Sequence, residues 1–281
     1  MKEGVPSKTA FGVAVRRAAH QLVDQPPVFS DPLAIRIVGE EAVAKLRRGI
    51  EDRNPIGDVL RAFVAARSRY SEDELAKAYT RRVRQCIVLG AGLDTFAYRN
   101  PHTDMCVFEV DHPATQQWKH SLLAAAGIPI PPTLTYAPVN FENETAAQGL
   151  RAVGFREDQP AFISWLGVTP YLSEQAFAQT INWVGAMPSG TTLVFDYGKD
   201  PSTLGFVERF AFNRIAKRVA NSGEPFRLFR DPDALAIELR AAGFLKTENL
   251  SSQELNTLYF AGRADGLRLK GSLGQIMRAS K

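Results

Sequence analysis

The spacing of hydrophobic and polar positions changes near residue 85. Before it, apolar residues recur at helical intervals. Asp31-Pro32-Leu33 offers a cap with proline at the first helical position, leading into a helix over 34–48. Asn54-Pro55 repeats the device ahead of a long helical stretch to about Tyr79. From Gln85 onward, short apolar runs at 86–89, 106–110, 134–139, 161–166 and 192–196 read as strands. Amphipathic stretches at 113–126, 142–153, 173–186 and 201–221 separate them. Strands alternating with helices of this length predict βαβ units, hence an α/β fold with a parallel sheet covered on both faces. Such sheets bind ligands beyond the carboxyl ends of their strands, where the strand order reverses.

The end of the chain breaks the alternation. After a helix at 231–242 closed by Gly243, two strand-like runs at 245–250 and 257–262 flank a short polar connection. A parallel pair needs a crossover of about a dozen residues, so these two should pair antiparallel. The prediction is a Rossmann-like, mostly parallel seven-stranded sheet with an antiparallel terminal hairpin. Three regions follow: an N-terminal helical extension or lid over 1–84, a core over 85–262 and a basic tail over 263–281.

Composition narrows the class. With 281 residues and 45% hydrophobic content, the chain can bury one large α/β core. No apolar run approaches the ~18 residues that span a bilayer, and Met1-Lys2-Glu3-Gly4-Val5-Pro6 contains no apolar signal core. A cytoplasmic protein without a membrane partner is expected. The formal charge of +4 lies wholly in the tail, where Arg263, Arg268, Lys270, Arg278 and Lys281 face only Asp265, five minus one. No aromatic residues interleave these bases, so the tail reads as a solvated terminus and not as a nucleic-acid site. Cys86 and Cys106 sit in separate strand runs without metal-ligand spacing and should be buried, reduced thiols.

The chemistry gathers after the first strand. There Ile87-Val88-Leu89 gives way to Gly90-Ala91-Gly92, then to Asp94 and Thr95 where a helix should begin. Glycines let the chain turn sharply and approach a ligand, and a following helix N-terminus would offer free amides. A dinucleotide fingerprint needs a third glycine where this chain has Thr95. Asp94 would repel a pyrophosphate but suit a cofactor carrying a sulfonium and an ammonium. About 20 residues on, Glu109-Val110-Asp111 ends the second strand, and a carboxylate there can accept both hydroxyls of a nucleoside ribose. The plainer role for Asp111 is to cap the helix starting at Pro113.

Gly90-Ala91-Gly92-Leu93-Asp94-Thr95-Phe96-Ala97-Tyr98-Arg99, Phe108-Glu109-Val110-Asp111-His112-Pro113, Ser7-Lys8-Thr9-Ala10 and Asp31-Pro32-Leu33-Ala34 together resemble the leucine carboxyl methyltransferase family. The resemblance runs from about Ser7 to Gly262 and implies a class I methyltransferase using S-adenosylmethionine as methyl donor. It further implies transfer to a carboxylate or hydroxyl of a small molecule, which for some bacterial members is polyketide-type. Arg67 then resembles the arginine that grips the methionine carboxylate, beside Gly90, Ala91 and Gly92. Asp111 resembles the ribose acid; His112, beside it, reads equally as a residue against the adenosine or as a surface histidine. Asn140 and Phe141 stand where the family flanks the adenine with an aspartate and an apolar residue. Trp165 and Leu166 complete the cofactor side, although Trp165, Phe195, Tyr197 and Phe260 equally read as core. Leu166 occupies a position where the family often has a glutamate, so the ammonium contact would pass to Asp94 or a backbone carbonyl.

Methyl transfer to an ionised carboxylate needs no base, only alignment. A hydroxyl acceptor needs one, and Asp196, Tyr197 and Tyr171 are the candidates. Two other classes share part of this pattern: an NAD(P)-dependent oxidoreductase and a non-catalytic S-adenosylmethionine-binding protein.

Overall fold

The computed structural model describes residues 7–49, 55–140, 144–221 and 225–281. Four helices come first: α1 (Lys8–Val23), α2 (Pro32–Val38), α3 (Glu40–Arg48) and α4 (Pro55–Thr80). Ser7 caps α1 through the Ala10 amide, and Asp31 caps α2 through the Ala34 amide with Pro32 behind it. The single helix expected over 34–48 is two, broken at Gly39, because glycine is a poor helix former. Asn54, expected to cap the next helix, lies outside the described residues.

Strands and helices then alternate as the pattern predicts. The strands are β1 (Gln85–Leu89), β2 (Cys106–Asp111), β3 (Leu134–Pro138), β4 (Ala161–Trp165) and β5 (Thr192–Gly198). Between and after them lie α5 (Pro113–Ala125), α6 (Ala146–Ala152), α7 (Glu174–Gly185), α8 (Phe206–Asn221) and α9 (Pro232–Ala241). The sheet closes with β6 (Lys246–Leu250), α10 (Ser252–Tyr259) and β7 (Gly274–Ser280). Its order is β3-β2-β1-β4-β5-β7-β6, with β1 through β5 parallel and β7 antiparallel to both β5 and β6.

The terminal hairpin needs correcting in place, though not in sense. Residues 257–262 form no strand: Ser251 and Glu254 make a capping box that starts α10 there instead. The antiparallel partner of β6 is β7, from within the expected tail. That tail is no loose terminus. Arg263 pairs with Asp265, Arg278 with Glu248, and Lys281 Nζ donates to the Gly185 carbonyl.

Strand periodicity sorts the core. Ile87, Leu89, Ile163, Trp165 and Phe195 pack on α6, α7 and α9 through Leu150, Phe177, Ile181 and Leu239. Their neighbours Cys86, Val88, Phe162, Val194 and Ile276 face α4 and α10 through Ala62, Ala66, Tyr70 and Leu255. A third cluster joins α1, α2 and α3 to α5 by way of Ala14, Ala18, Ile37, Leu93 and Leu123. Cys86 is buried as expected, whereas Cys106, at the first position of β2, is exposed; both are free. Among the described residues no helix is long and apolar enough to cross a membrane.

Candidate functional site

β1 neighbours β2 on one side and β4 on the other, so the strand order reverses at its carboxyl end. A cavity of about 320 Å³ opens there, within the size range of ligand pockets. Gly90, Ala91 and Gly92 form its floor beyond β1; Asp111 and His112 come from β2 and Asn140 from the segment after β3. Ser164, Leu166 and Gly167 come from β4, while Arg67 and Ser68 reach in from α4.

The loop works differently from a helix cradle. No α-helix follows Gly92; a single 3-10 turn, Phe96–Tyr98, takes its place, and Asp94 Oδ1 accepts the Phe96 amide at 2.7 Å. The expected free helical amides are therefore absent from this loop. Asp111 accepts the Gly92 amide through Oδ2 at 2.5 Å and the His112 amide through Oδ1 at 2.7 Å. It does not cap α5. That task falls to His112, whose Nδ1 accepts the Ala114 amide at 3.2 Å. Burial pushes the Asp111 carboxyl above its ordinary range, against the pull of the two amides.

Thr95 faces away from the cavity into a buried polar network. Its hydroxyl donates to Asp31 Oδ1 at 2.7 Å and accepts from Arg17, also at 2.7 Å. Arg17 forks onto Asp31 and reaches Asp94 at 3.1 Å. Glu72 and Arg99 extend the network as an ion pair. Asp94 lines the cavity as expected, but with its charge already met by Arg17. A pyrophosphate-binding backbone has no counterpart at Thr95.

Two expected residues lie elsewhere. Trp165 is stacked on Phe177 in the core, because strand alternation gives the cavity face to Ser164 and Leu166. Tyr197 points to that same core side, and its hydroxyl donates to Asn249. Asp196 lies on the cavity side but beneath the wall. Its Oδ2 takes Arg67 at 2.6 Å and its Oδ1 takes the Gly167 amide at 2.5 Å, so neither oxygen is free to act as a base. Tyr171 does line the cavity, and Phe141 lies outside the described residues.

Several cavity residues escaped sequence reasoning. Ala10, Val13, Ala14 and Arg17 recur at helical intervals and turn one face of α1 onto the site. That spacing was the available signal. Pro225 and Arg227 close the far end, next to an aromatic cluster in which Phe226 packs on Tyr171 and Phe212. Nothing local marks Arg227, and among the described residues no hydrogen bond or ion pair engages its guanidinium.

Comparison with known proteins agrees with this geometry. A family model described as leucine carboxyl methyltransferase matches residues 10–185. A Bacillus subtilis protein, YktD, named as a candidate S-adenosyl-L-methionine-dependent methyltransferase, is 32% identical and is covered over 95% of both chains. A candidate methyltransferase from Thermobifida fusca shares the fold at a TM-score of 0.60 and 16% identity, over 100% of this chain and 96% of that one. A duf574 family protein from Streptomyces avermitilis does so at 0.58 and 18% identity, over 95% and 96%.

Proposed function

The chain belongs to the leucine carboxyl methyltransferase family and is an S-adenosylmethionine-dependent methyltransferase, and on that premise we propose that it methylates the carboxylate of a small, partly apolar molecule. When bound, S-adenosylmethionine supplies a methyl group on positively charged sulfur. The residues present fit that group. Arg67 is buried with its Nε unpartnered, a donor in want of an anion such as the methionine carboxylate. Asp111 can accept the ribose hydroxyls with lone pairs that the two amides leave open. Asn140 and His112 complete the nucleoside end, Gly90, Ala91 and Gly92 line the cavity beside Arg67, and Leu166 adds an apolar wall.

The carboxylate reading rests above all on Arg227. An unengaged guanidinium at the end of the cavity, beside the Tyr171–Phe226 pair, favours an acceptor with an anionic head and an apolar body. Of the bases that a hydroxyl acceptor could use, Asp196 is held by Arg67 and Gly167 and Tyr197 is turned to Asn249, which leaves only the Tyr171 phenol at the cavity. An ionised carboxylate needs alignment only, and alignment is what a prearranged cavity supplies.

Methyl-labelled S-adenosylmethionine, offered with panels of small carboxylic acids and phenols, tests the reading. A product whose label is released by mild alkali, as methyl esters are, is expected. Arg227→Met should then raise the acceptor KM at least tenfold and leave the dissociation constant of S-adenosylhomocysteine unchanged. An alkali-stable methyl ether as the sole product would overturn the proposal.

A further inference from the structure

We propose that Asp196 is a positioning residue that aims Arg67 and the Gly167 turn at the amino-acid end of the cofactor. This rests on the methyltransferase reading above and adds to it the residue on which recognition of that end depends.

Asp196 ties three segments together. Its Oδ2 holds Arg67 of α4 at 2.6 Å, its Oδ1 holds the Gly167 amide beyond β4 at 2.5 Å, and its carbonyl accepts the Thr169 hydroxyl at 2.5 Å. Asp196 and Arg67 are only 4% and 7% exposed, so the ion pair is shielded from water and holds its geometry. Arg67 and Gly167 both line the cavity while Asp196 does not, and this arrangement separates the residues that touch a ligand from the one behind them.

The approach is close as well as charged. A Cβ on Gly167 would stand 2.8 Å from Arg67 Nη2, so the guanidinium lies flat against the bare glycine backbone. One nitrogen of Arg67 is spent on Asp196, and buried Nε has no partner. Without Asp196, Arg67 would lose the contact that fixes its rotamer and gain freedom in a long side chain. An anion at the cavity would then meet a mobile cation in place of a fixed fork.

Two ligands read this out. S-adenosylhomocysteine carries the amino-acid end, and 5′-methylthioadenosine has the same adenosine and thioether without it. In Asp196→Asn, the affinity for S-adenosylhomocysteine should fall at least tenfold while that for 5′-methylthioadenosine stays within twofold. On an Arg67→Gln background, adding Asp196→Asn should cause no further loss, because both changes remove one interaction. This neutral pair also serves if the single Asn variant fails to fold. Equal losses for both ligands, an unchanged S-adenosylhomocysteine affinity, or additive losses in the double variant would each overturn the proposal. Wild-type protein that binds neither ligand would instead overturn the methyltransferase reading itself.

Discussion

Asp111 Oδ2 accepts the Gly92 amide at 2.5 Å, so the acid at the end of β2 holds the turn at the end of β1. The residue placed to receive a ribose is thus also the one that shapes the loop beside it. Asp111→Ala should weaken S-adenosylhomocysteine binding by roughly two orders of magnitude, the lower end for two hydrogen bonds to a charged group at about 1.5 kcal/mol each. Asp111→Asn keeps an acceptor for Gly92 and should lose about tenfold. Because burial raises this carboxyl and only its ionised form accepts both hydroxyls, affinity should begin to fall on acidification before pH reaches the ordinary 3.8. Titration calorimetry across pH checks all three, and full affinity in the Ala variant would refute the ribose assignment.

Arg17 joins the N-terminal helices to the glycine loop through two acids. Asp31 is fully buried, with its carboxyl held below the usual range: burial opposes ionisation, but Arg17 and Arg99 outweigh it. Arg17→Met should cost about 3 kcal/mol, the lower end for breaking a buried pair, because Arg99 stays 3.4 Å from Asp31. Thr95→Val removes a neutral hydroxyl that bonds Asp31 and Arg17 and should cost about 2 kcal/mol, less than loss of the cation. Urea denaturation measures both, and a reversed ranking would rule out a charge-centred network.

Gly90 has a φ of +64°, and a Cβ there would fall 2.3 Å from Val168 Cγ2. Gly90→Ala should therefore destabilise by about 2–4 kcal/mol, from left-handed backbone plus overpacking. It should also weaken cofactor binding, since both residues line the cavity. Trimming the obstacle in Gly90→Ala/Val168→Ala should recover part of the loss. Gly92→Ala meets the Ala10 Cβ at 3.1 Å as its tightest contact and should cost less. Thermal melts of the four proteins decide, and a double variant no better than Gly90→Ala would exclude the clash.

Much of this fold could be read locally, and the parts that could not depend on distant contacts. Caps, strand runs and the acid after β2 each involve a few neighbouring residues, so Asp31, Asp111 and the βαβ order were legible. Arg17 meets Asp94 across 77 residues and Arg67 meets Asp196 across 129, and no spacing encodes such pairs. Trp165 was misplaced because a strand end shows its period but not which face meets the ligand. β7 was hidden because Gln275 and Arg278 interrupt its apolar run, and their partners lie on other elements. The capping box at Ser251 and Glu254 was present in the sequence and would have converted 257–262 from strand to helix.

Glu109 gives the last prediction. It is fully buried and its carboxyl is pushed up to about 7 by burial, against the pull of Lys119 at 2.6 Å; Oε1 has no partner. A carboxyl whose folded pKa lies above its unfolded value binds more protons folded than unfolded. Its stabilising contribution is complete below the ordinary 4.5 and is lost as pH rises through about 7. Glu109→Gln lacks this titration. Subtracting its stability from that of the wild type should therefore leave a difference that declines between pH 4.5 and 7, by on the order of 3 kcal/mol, and then levels off. Urea midpoints of both proteins from pH 4.5 to 8 measure it. Parallel curves would mean that Lys119 holds the carboxyl at its ordinary value, and a rising difference would mean that the ion pair outweighs burial.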